Sequence, residues 1–414
     1  WADFPTLGFN KNWVGINVNM IQFAAGTALS NRELIINYPS LRTGVFSGGF
    51  VAGTNAVTAP VITYSATENT LYQVVHLSSA SGTYRVDTIT GTAAAPVYTA
   101  GATLTRTGGG WTQPTPSGQI LPQAAPLSGT SACGAATPCK LETQDSFVRS
   151  TPVFRNGFIY YAQTIGLPAG GTLTRTAAQW TKLTATTGAF ADGGRVDDPT
   201  ATATNGGKWY AYPSISVNVN NDVMFGFSQF ASNQFAAAGY TYRFHSDAPG
   251  LMRDPIIYKA GEDYYSKTFG GGRNRFGDYS MTQVDPSNDK DLWTLQEYAQ
   301  ARVGTDDGNT GSNSSRWSTW WARVAFDPTG IKVVISGRVL TSGGRVVARA
   351  HVTLTDLENG QVRTAITNPF GRYQFADVPT GKTFLLSVTA KGYEFTPQVL
   401  NVIQEVNDMD FTAQ

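Results

Sequence analysis

Of the 414 residues, 14% are charged, against about 25% in an average soluble chain, and 30 basic residues balance 29 acidic ones to a formal net charge of +1. That balance excludes the basic footprint of a nucleic-acid binder or of a protein held on anionic lipid, and no apolar run approaches the ~18 residues of a membrane span. Helix formers at helical spacing never persist beyond about two turns, while 44 Gly and 20 Pro punctuate the chain, so the sequence reads as all-β.

The chain opens at Trp1, with no initiator Met and no signal peptide, which reads as a processed, exported chain or a fragment. A repeated block begins at once. Asp3-Phe4-Pro5-Thr6-Leu7-Gly8-Phe9-Asn10 leads into Trp13–Val18, and weaker copies follow at Pro60–Tyr64 with Leu71–Val75 and at Thr151–Gly157 with Phe158–Ala162. Stronger copies are Ala211-Tyr212-Pro213-Ser214-Ile215-Ser216-Val217-Asn218 with Val223–Ser228, and Asp278–Asp285 with Leu292–Tyr298. Each is a short alternating strand, an Asn/Asp/Gly turn and a returning strand rich in aromatic and β-branched residues: a β-hairpin. Further strands fit between copies, as in Gly239–Phe244 and Pro255–Lys259. A lone hairpin cannot bury its apolar face, so copies spaced by about 60 residues predict radial stacking of small sheets, a β-propeller. Five blades is the direct reading, with six or seven open if some are degenerate. Because the first copy starts so near the N-terminus, its blade is expected to lack a strand, supplied by the end of the ring or by upstream sequence.

Between the second and third copies, Gly91–Lys140 is poor in charge and dense in Thr, Ala, Gly and Pro, and reads as one or two strands and a long surface loop. It ends at the only two cysteines, Cys133 and Cys139, whose intervening Gly134 and Pro138 favour a small closed loop and a disulfide. A polar loop at Thr305–Ser315 carries Asp306, Asp307 and Asn309, oxygen ligands at a spacing that suits Ca²⁺; the sequence demands no cofactor. Arg316–Arg323 packs Trp317, Trp320 and Trp321 together. Alternation puts Trp317 and Trp321 on one face and Trp320 on the other, core being the favoured reading and Trp320 the candidate stacking platform for a sugar ring.

A turn-type linker, Asp327-Pro328-Thr329-Gly330, separates a first domain, 1–327, from a second, 331–414. Strands are expected at 333–339, 346–355, 361–367, 371–375, 383–388 and 399–411, the spacing of a β-sandwich. Gly337-Arg338-Val339, Gly343-Gly344, Ala350–Asp356, Thr367–Phe375, Val378–Phe384 and Ala390–Tyr393 together resemble the carboxypeptidase regulatory-like domains. The resemblance implies a transthyretin-like or Ig-like sandwich, an accessory and non-catalytic module of secreted bacterial proteins. Related adhesin modules carry a Lys–Asn isopeptide bond; here Lys332 and Asn407 read instead as a solvated lysine and a turn asparagine. Ser287-Asn288-Asp289-Lys290-Asp291-Leu292-Trp293 resembles the Asp-box of sialidase-type (BNR) propellers, with Asp291 where Gly is expected and the Trp one residue early. That resemblance supports the fold and transfers no active site.

Glycoside hydrolysis needs two opposed carboxyl groups, and a sialidase-like site needs clamping arginines and a tyrosine nucleophile. The candidates are Arg273, Arg275, Asp278, Tyr279 and Glu297, behind the approach Gly270-Gly271-Gly272. Asp278 and Tyr279 recur in the repeat as Asp3 and Phe4, and residues that repeat by blade are more often structural. No phosphate loop or nucleophile motif occurs, and His76, His245 and His351 sit in no recognisable catalytic context. The leading expectation is therefore an extracellular or cell-surface protein without enzymatic activity, adhesive or self-assembling, whose partners are copies of itself or surface glycans, with neither nucleic-acid binding nor membrane insertion. The alternatives are a sialidase-like carbohydrate-active enzyme and a glycan-binding propeller without turnover.

Overall fold

The computed structural model describes residues 1–23, 26, 28–51, 57–78, 80–114, 119–127, 139–268, 273–303, 315–326, 332–402 and 405–414. The chain divides into two compact units, Trp1–Val324 and Ala325–Gln414. Among the described residues the single helix is Tyr38–Arg42, and no helix is long and apolar enough to cross a membrane.

The first unit is a β-propeller in which each sheet is an antiparallel meander. The first sheet runs Ala2–Phe9, Trp13–Ile21, Ala28–Asn37, Gly48–Val51, and the second Val57–Pro60, Leu71–His76, Thr83–Thr92, Ala95–Thr99. The third runs Val153–Arg155, Phe158–Leu167, Arg175–Thr184, Phe190–Val196, and the fourth Trp209–Val217, Val223–Ala231, Gln234–Arg243, Ile256–Lys259. The fifth has three strands among the described residues, Met281–Val284, Leu292–Gln300 and Arg316–Val324. The opening strands line the axis. Phe9 bridges Ile62 and Ile62 bridges Val153, both parallel, and Ser214 of the fourth sheet meets Thr282 of the fifth at 2.8 Å between hydroxyls. Contacts from the fifth sheet back to the first and second close the circle: Tyr279 stacks on Phe4 at 6.0 Å, and Tyr64 donates to Gln283 at 3.1 Å.

The repeated block has a local physical cause. Its closing Asn or Asp ties the hairpin turn by accepting backbone N–H groups that the ladder leaves unpaired. Asn10 Oδ1 accepts from Asn12 and Trp13, and Asn218 Oδ1 from Asn220 and Asp222. In the fifth sheet Asp285 accepts from the Ser287 backbone at 2.9 Å and from Trp293 Nε1 at 2.8 Å, so the Asp-box-like segment acts as a tied turn. The block's aromatic also has a structural signature. Phe4 and Tyr212 adopt φ of 55° and 53°, each before a proline and each at a register shift in its strand. The central sheets are covered on both faces: Trp209–Val217 and Val223–Ala231 are buried throughout, with Trp180, Tyr160, Phe225 and Phe227 packed between the third and fourth sheets.

Three expectations are corrected here. The first sheet has its four strands within residues 2–51, and among the described residues it is the fifth that has three. Among its described residues the Gly91–Lys140 segment holds three short strands, Ala95–Thr99, Leu104–Thr105 and Gln119–Leu121, where one or two were expected; the loop expected before Cys139 falls largely outside the described residues. The segment completes the second sheet, and Trp111 is buried against Ile165, Leu167 and Ala177 of the third while Thr112 bridges Gly166. The three tryptophans of Arg316–Val324 are not core: Trp317, Trp320 and Trp321 are 49%, 47% and 62% exposed. They lie on the outermost strand of this sheet among the described residues, where alternation still assigns faces but no described strand pairs with its outer edge.

The second unit is a β-sandwich. One sheet orders Arg372–Pro379, Lys332–Leu340 and Phe411–Thr412, the last pair parallel. The other orders Val362–Ile366, His351–Asp356, Lys382–Thr389 and Gln398–Val402. Their inner faces share a core that includes Ile335, Val339, Leu354, Tyr373, Leu386 and Phe411. Two predicted strands change: 346–355 is regular only from His351, and 399–411 divides into Gln398–Val402 and Phe411–Thr412. Lys332 and Asn407 are both exposed, and Asn407 Oδ1 accepts from Ser336 at 3.3 Å, in keeping with the solvated reading.

Candidate functional site

Four of the five predicted site residues gather directly around Asp278, at the end of the axis where the opening strands begin. Arg275 Nη2 lies 3.1 Å from both Asp278 oxygens, and Gln144 donates to Asp278 Oδ1 at 2.6 Å. Tyr279 follows in the chain, 39% exposed, with its ring on Phe4. Glu297 comes from the second strand of the fifth sheet and is buried. Burial first, and the neighbouring Asp278 carboxylate second, push its carboxyl up to about 8, so it is protonated at neutral pH. Arg273, the fifth, is turned to Glu142. The glycine approach 270–272, Asp306, Asp307, Asn309 and Cys133 lie outside the described residues, so the Ca²⁺ and Cys133–Cys139 expectations do too.

Residues the sequence did not single out complete the cluster. Arg149 pairs with Asp145 at 2.6 Å and lies 3.9 Å over the Phe4 ring. Tyr212 donates its hydroxyl to the Glu142 carbonyl, and burial drives its pKa far up. His76 stands edge-on to Phe147 and Tyr161, and burial, only partly offset by Asp145, lowers it to about 4. Spacing held a faint signal for one of these: Asp145 and Arg149 are four apart just before a repeat copy. Nothing in the local sequence marks His76 or Glu142, which arrive from different sheets.

The arrangement pairs its own charges: Arg273 with Glu142, Arg275 with Asp278 and Arg149 with Asp145. Glu297 is closed off. Gly277, at φ 44°, lies so near that a Cβ there would overlap Glu297 Oε2. The cavity between Asp145, Arg149, Gln163, Tyr212 and Asp278 has a volume of about 10 Å³, the size of a single water. A substrate-sized space, about 700 Å³, lies at the other end of the axis, between Tyr64, Glu68, Arg155 and Asp289.

The axial pairs predict a stability effect. Glu142 is fully buried, so Arg273→Ala strands a carboxylate with no counter-charge. Because Arg273 is itself 44% exposed, solvent screens part of the loss, and the expected cost is about 2 kcal/mol in urea titration. Adding Glu142→Gln should recover part of it.

With both units described, comparison with known proteins identifies one of them. Residues 334–414 match the carboxypeptidase regulatory-like domain. That match covers the sandwich and agrees with the turns and core positions read above. No curated protein matches the chain by sequence. Among solved structures, the chain is similar to a subtype N11 neuraminidase-like protein of A/flat-faced bat/Peru/033/2010 (H18N11), at 10% identity and TM-score 0.38, over 91% of this chain and 87% of that one. It is also similar to polysaccharide lyase Uly1, at 11% identity and TM-score 0.38, over 96% and 89%. A third is a family GH43 β-1,3-galactosidase solved with galactodeoxynojirimycin, at 11% identity and TM-score 0.35, over 77% and 90%. Likeness at this level carries no activity to this chain.

Proposed function

We propose that this is an exported, cell-surface protein that works by contact rather than turnover, its fifth sheet being the contact surface for other copies of the chain. The observation that carries this is the strand Arg316–Val324. It is the outer edge of a three-stranded sheet among the described residues, with an unbroken nine-residue register to its neighbour and three half-exposed tryptophans. Sheet edges are normally blunted by Pro, charged side chains or a bulge, and between Arg316 and Arg323 this strand contains none of them. Trp320 is braced by Tyr298 and by Lys259, 4.7 Å from its ring, and Trp321 by Trp293, so the aromatic surface is held in place. A near-neutral chain adds little self-repulsion.

Analytical ultracentrifugation over a wide concentration range tests this. Concentration-dependent association is expected, and Trp317→Ser/Trp320→Ser/Trp321→Ser should abolish it without lowering the melting temperature by more than a few degrees. A strictly monomeric wild type at high concentration would sink the proposal. The Ca²⁺ expectation at Asp306, Asp307 and Asn309 and the Cys133–Cys139 disulfide belong to the same picture of an exported protein; the second is tested by thiol titration of the unfolded chain.

One observation favours a second reading, a carbohydrate-active enzyme of the sialidase-like propeller type: the carboxyl of Glu297, raised to about 8, lies beside Asp278, with Tyr279 exposed at the same mouth. Chromogenic glycosides decide it. Turnover lost in Tyr279→Phe or Glu297→Gln would replace the contact reading.

A further inference from the structure

We infer that the opposite mouth of the axis is a binding site for a neutral saccharide. This goes beyond the contact surface proposed above and uses none of its residues. The cavity there is about 700 Å³, within the range of about 300–1,000 Å³ typical of small-ligand sites. Its walls come from the second, third, fourth and fifth sheets, so the site exists only once the propeller has closed.

Its chemistry is that of a sugar site. Tyr64 supplies an aromatic face that is 59% exposed yet fixed: its hydroxyl donates to Gln283 at 3.1 Å and its ring meets Phe9 edge-on at 5.4 Å. A ring held at two points and open on a face can stack on the C–H face of a pyranose at little entropic cost. Planar polar groups, suited to adjacent hydroxyls, line the same cavity. Arg155 and Asp289 form a two-point pair across the third and fifth sheets, and Arg155 is anchored by the Val217 carbonyl at 3.2 Å. The Asp289 side chain remains 45% exposed and can accept from a ligand hydroxyl while it holds the arginine. Glu68 lines the same cavity, with Oε1 held by the Thr70 N–H at 2.7 Å.

Charge narrows the ligand class. Asp289 and Glu68 against Arg155 leave the lining with one excess negative charge, which disfavours phosphates, uronates and sialates. A purely apolar ligand would strip water from both carboxylates without replacing their hydrogen bonds. A neutral polyhydroxy ligand satisfies both conditions.

The test is a glycan array carrying neutral, uronate-containing and sialylated glycans, probed with the full chain and followed by calorimetric titration of each hit. Neutral glycans should bind at least about ten-fold more tightly than their acidic counterparts. Tyr64→Ala should weaken binding by about ten-fold or more, and Tyr64→Phe, which keeps the ring, should stay within about three-fold. Glu68→Arg, which reverses the wall charge, should move the preference towards acidic glycans and keeps the test decisive if Tyr64→Ala fails to fold. An array without neutral hits, a preference of the wild type for acidic glycans, or binding that survives Tyr64→Ala and disappears in Trp320→Ala would overturn the inference. Association through the fifth sheet should be unchanged in Tyr64→Ala, so failure here and failure of the contact proposal are read separately.

Discussion

Gly8→Ala should destabilise the first unit by about 3 kcal/mol, the upper part of the range for forcing an extra methyl into a packed interior. A Cβ at Gly8 would come within 2.5 Å of the Pro60 carbonyl oxygen and 2.6 Å of the Val61 nitrogen. These are backbone atoms beside the junction where Phe9 bridges Ile62, so no rotamer change relieves the clash; the opening strands of the first two sheets must move apart. The sign is diagnostic. Where space allows, Gly→Ala stabilises by about 0.4–1 kcal/mol through the unfolded chain. Gly49→Ala is the matched control, since nothing lies within 4 Å of its added methyl and the site is on an edge strand. Scanning calorimetry should show the propeller transition lowered by Gly8→Ala and unchanged or raised by Gly49→Ala. Equal behaviour of the two would mean that the opening strands do not meet as described.

The first unit should also lose stability as pH rises from about 6.5 to 8. Two buried carboxyls, Glu33 and Glu297, are each raised from 4.5 to about 8, chiefly by burial. Glu33 is further raised by Asp87, against which the Gln73 amide donates to Glu33 and partly compensates. Glu297 faces Asp278 from the same sheet and lies under Gly277, with Tyr212 across the sheet boundary. Both carboxyls hold a proton in the folded chain where the unfolded chain has released it. Their contribution is therefore complete below pH 4.5 and is lost as pH rises through 8. His76 acts oppositely: lowered from 6.5 to about 4, it costs stability as pH falls between those values. Above pH 6.5 His76 no longer contributes, and the two carboxyl protons correspond to a slope of at most about 2.7 kcal/mol per pH unit. Urea titrations at stepped pH should show the decline, and Glu33→Gln/Glu297→Gln should flatten it. A flat wild-type profile over that window would mean that these carboxyls are ionised and hydrated.

Much of the fold was legible from short-range pattern. Period-two alternation and the turn residues Asn10, Asn218 and Asp285 marked the hairpins, because a tied turn is made by residues two or three apart. The resemblance of the sandwich to the carboxypeptidase regulatory-like domain was legible for the same reason, since its turns fall at fixed spacings. The candidate site was legible only in part. Arg275, Asp278 and Tyr279 lie close in sequence and could be grouped, but pairing Arg273 with Glu142 spans 131 residues and turns a candidate substrate clamp into a structural ion pair.

By itself, then, the sequence determined that the chain is all-β, that its first part is built from repeated hairpins and that a sandwich follows, because each of these depends on contacts within a few residues. Only the tertiary structure decided that Trp317, Trp320 and Trp321 face outwards, that Glu297 is sealed and protonated, and that the roomy cavity lies beside Tyr64 rather than Tyr279. Burial and charge pairing depend on which sheets meet around the axis, and no local stretch of residues encodes that meeting.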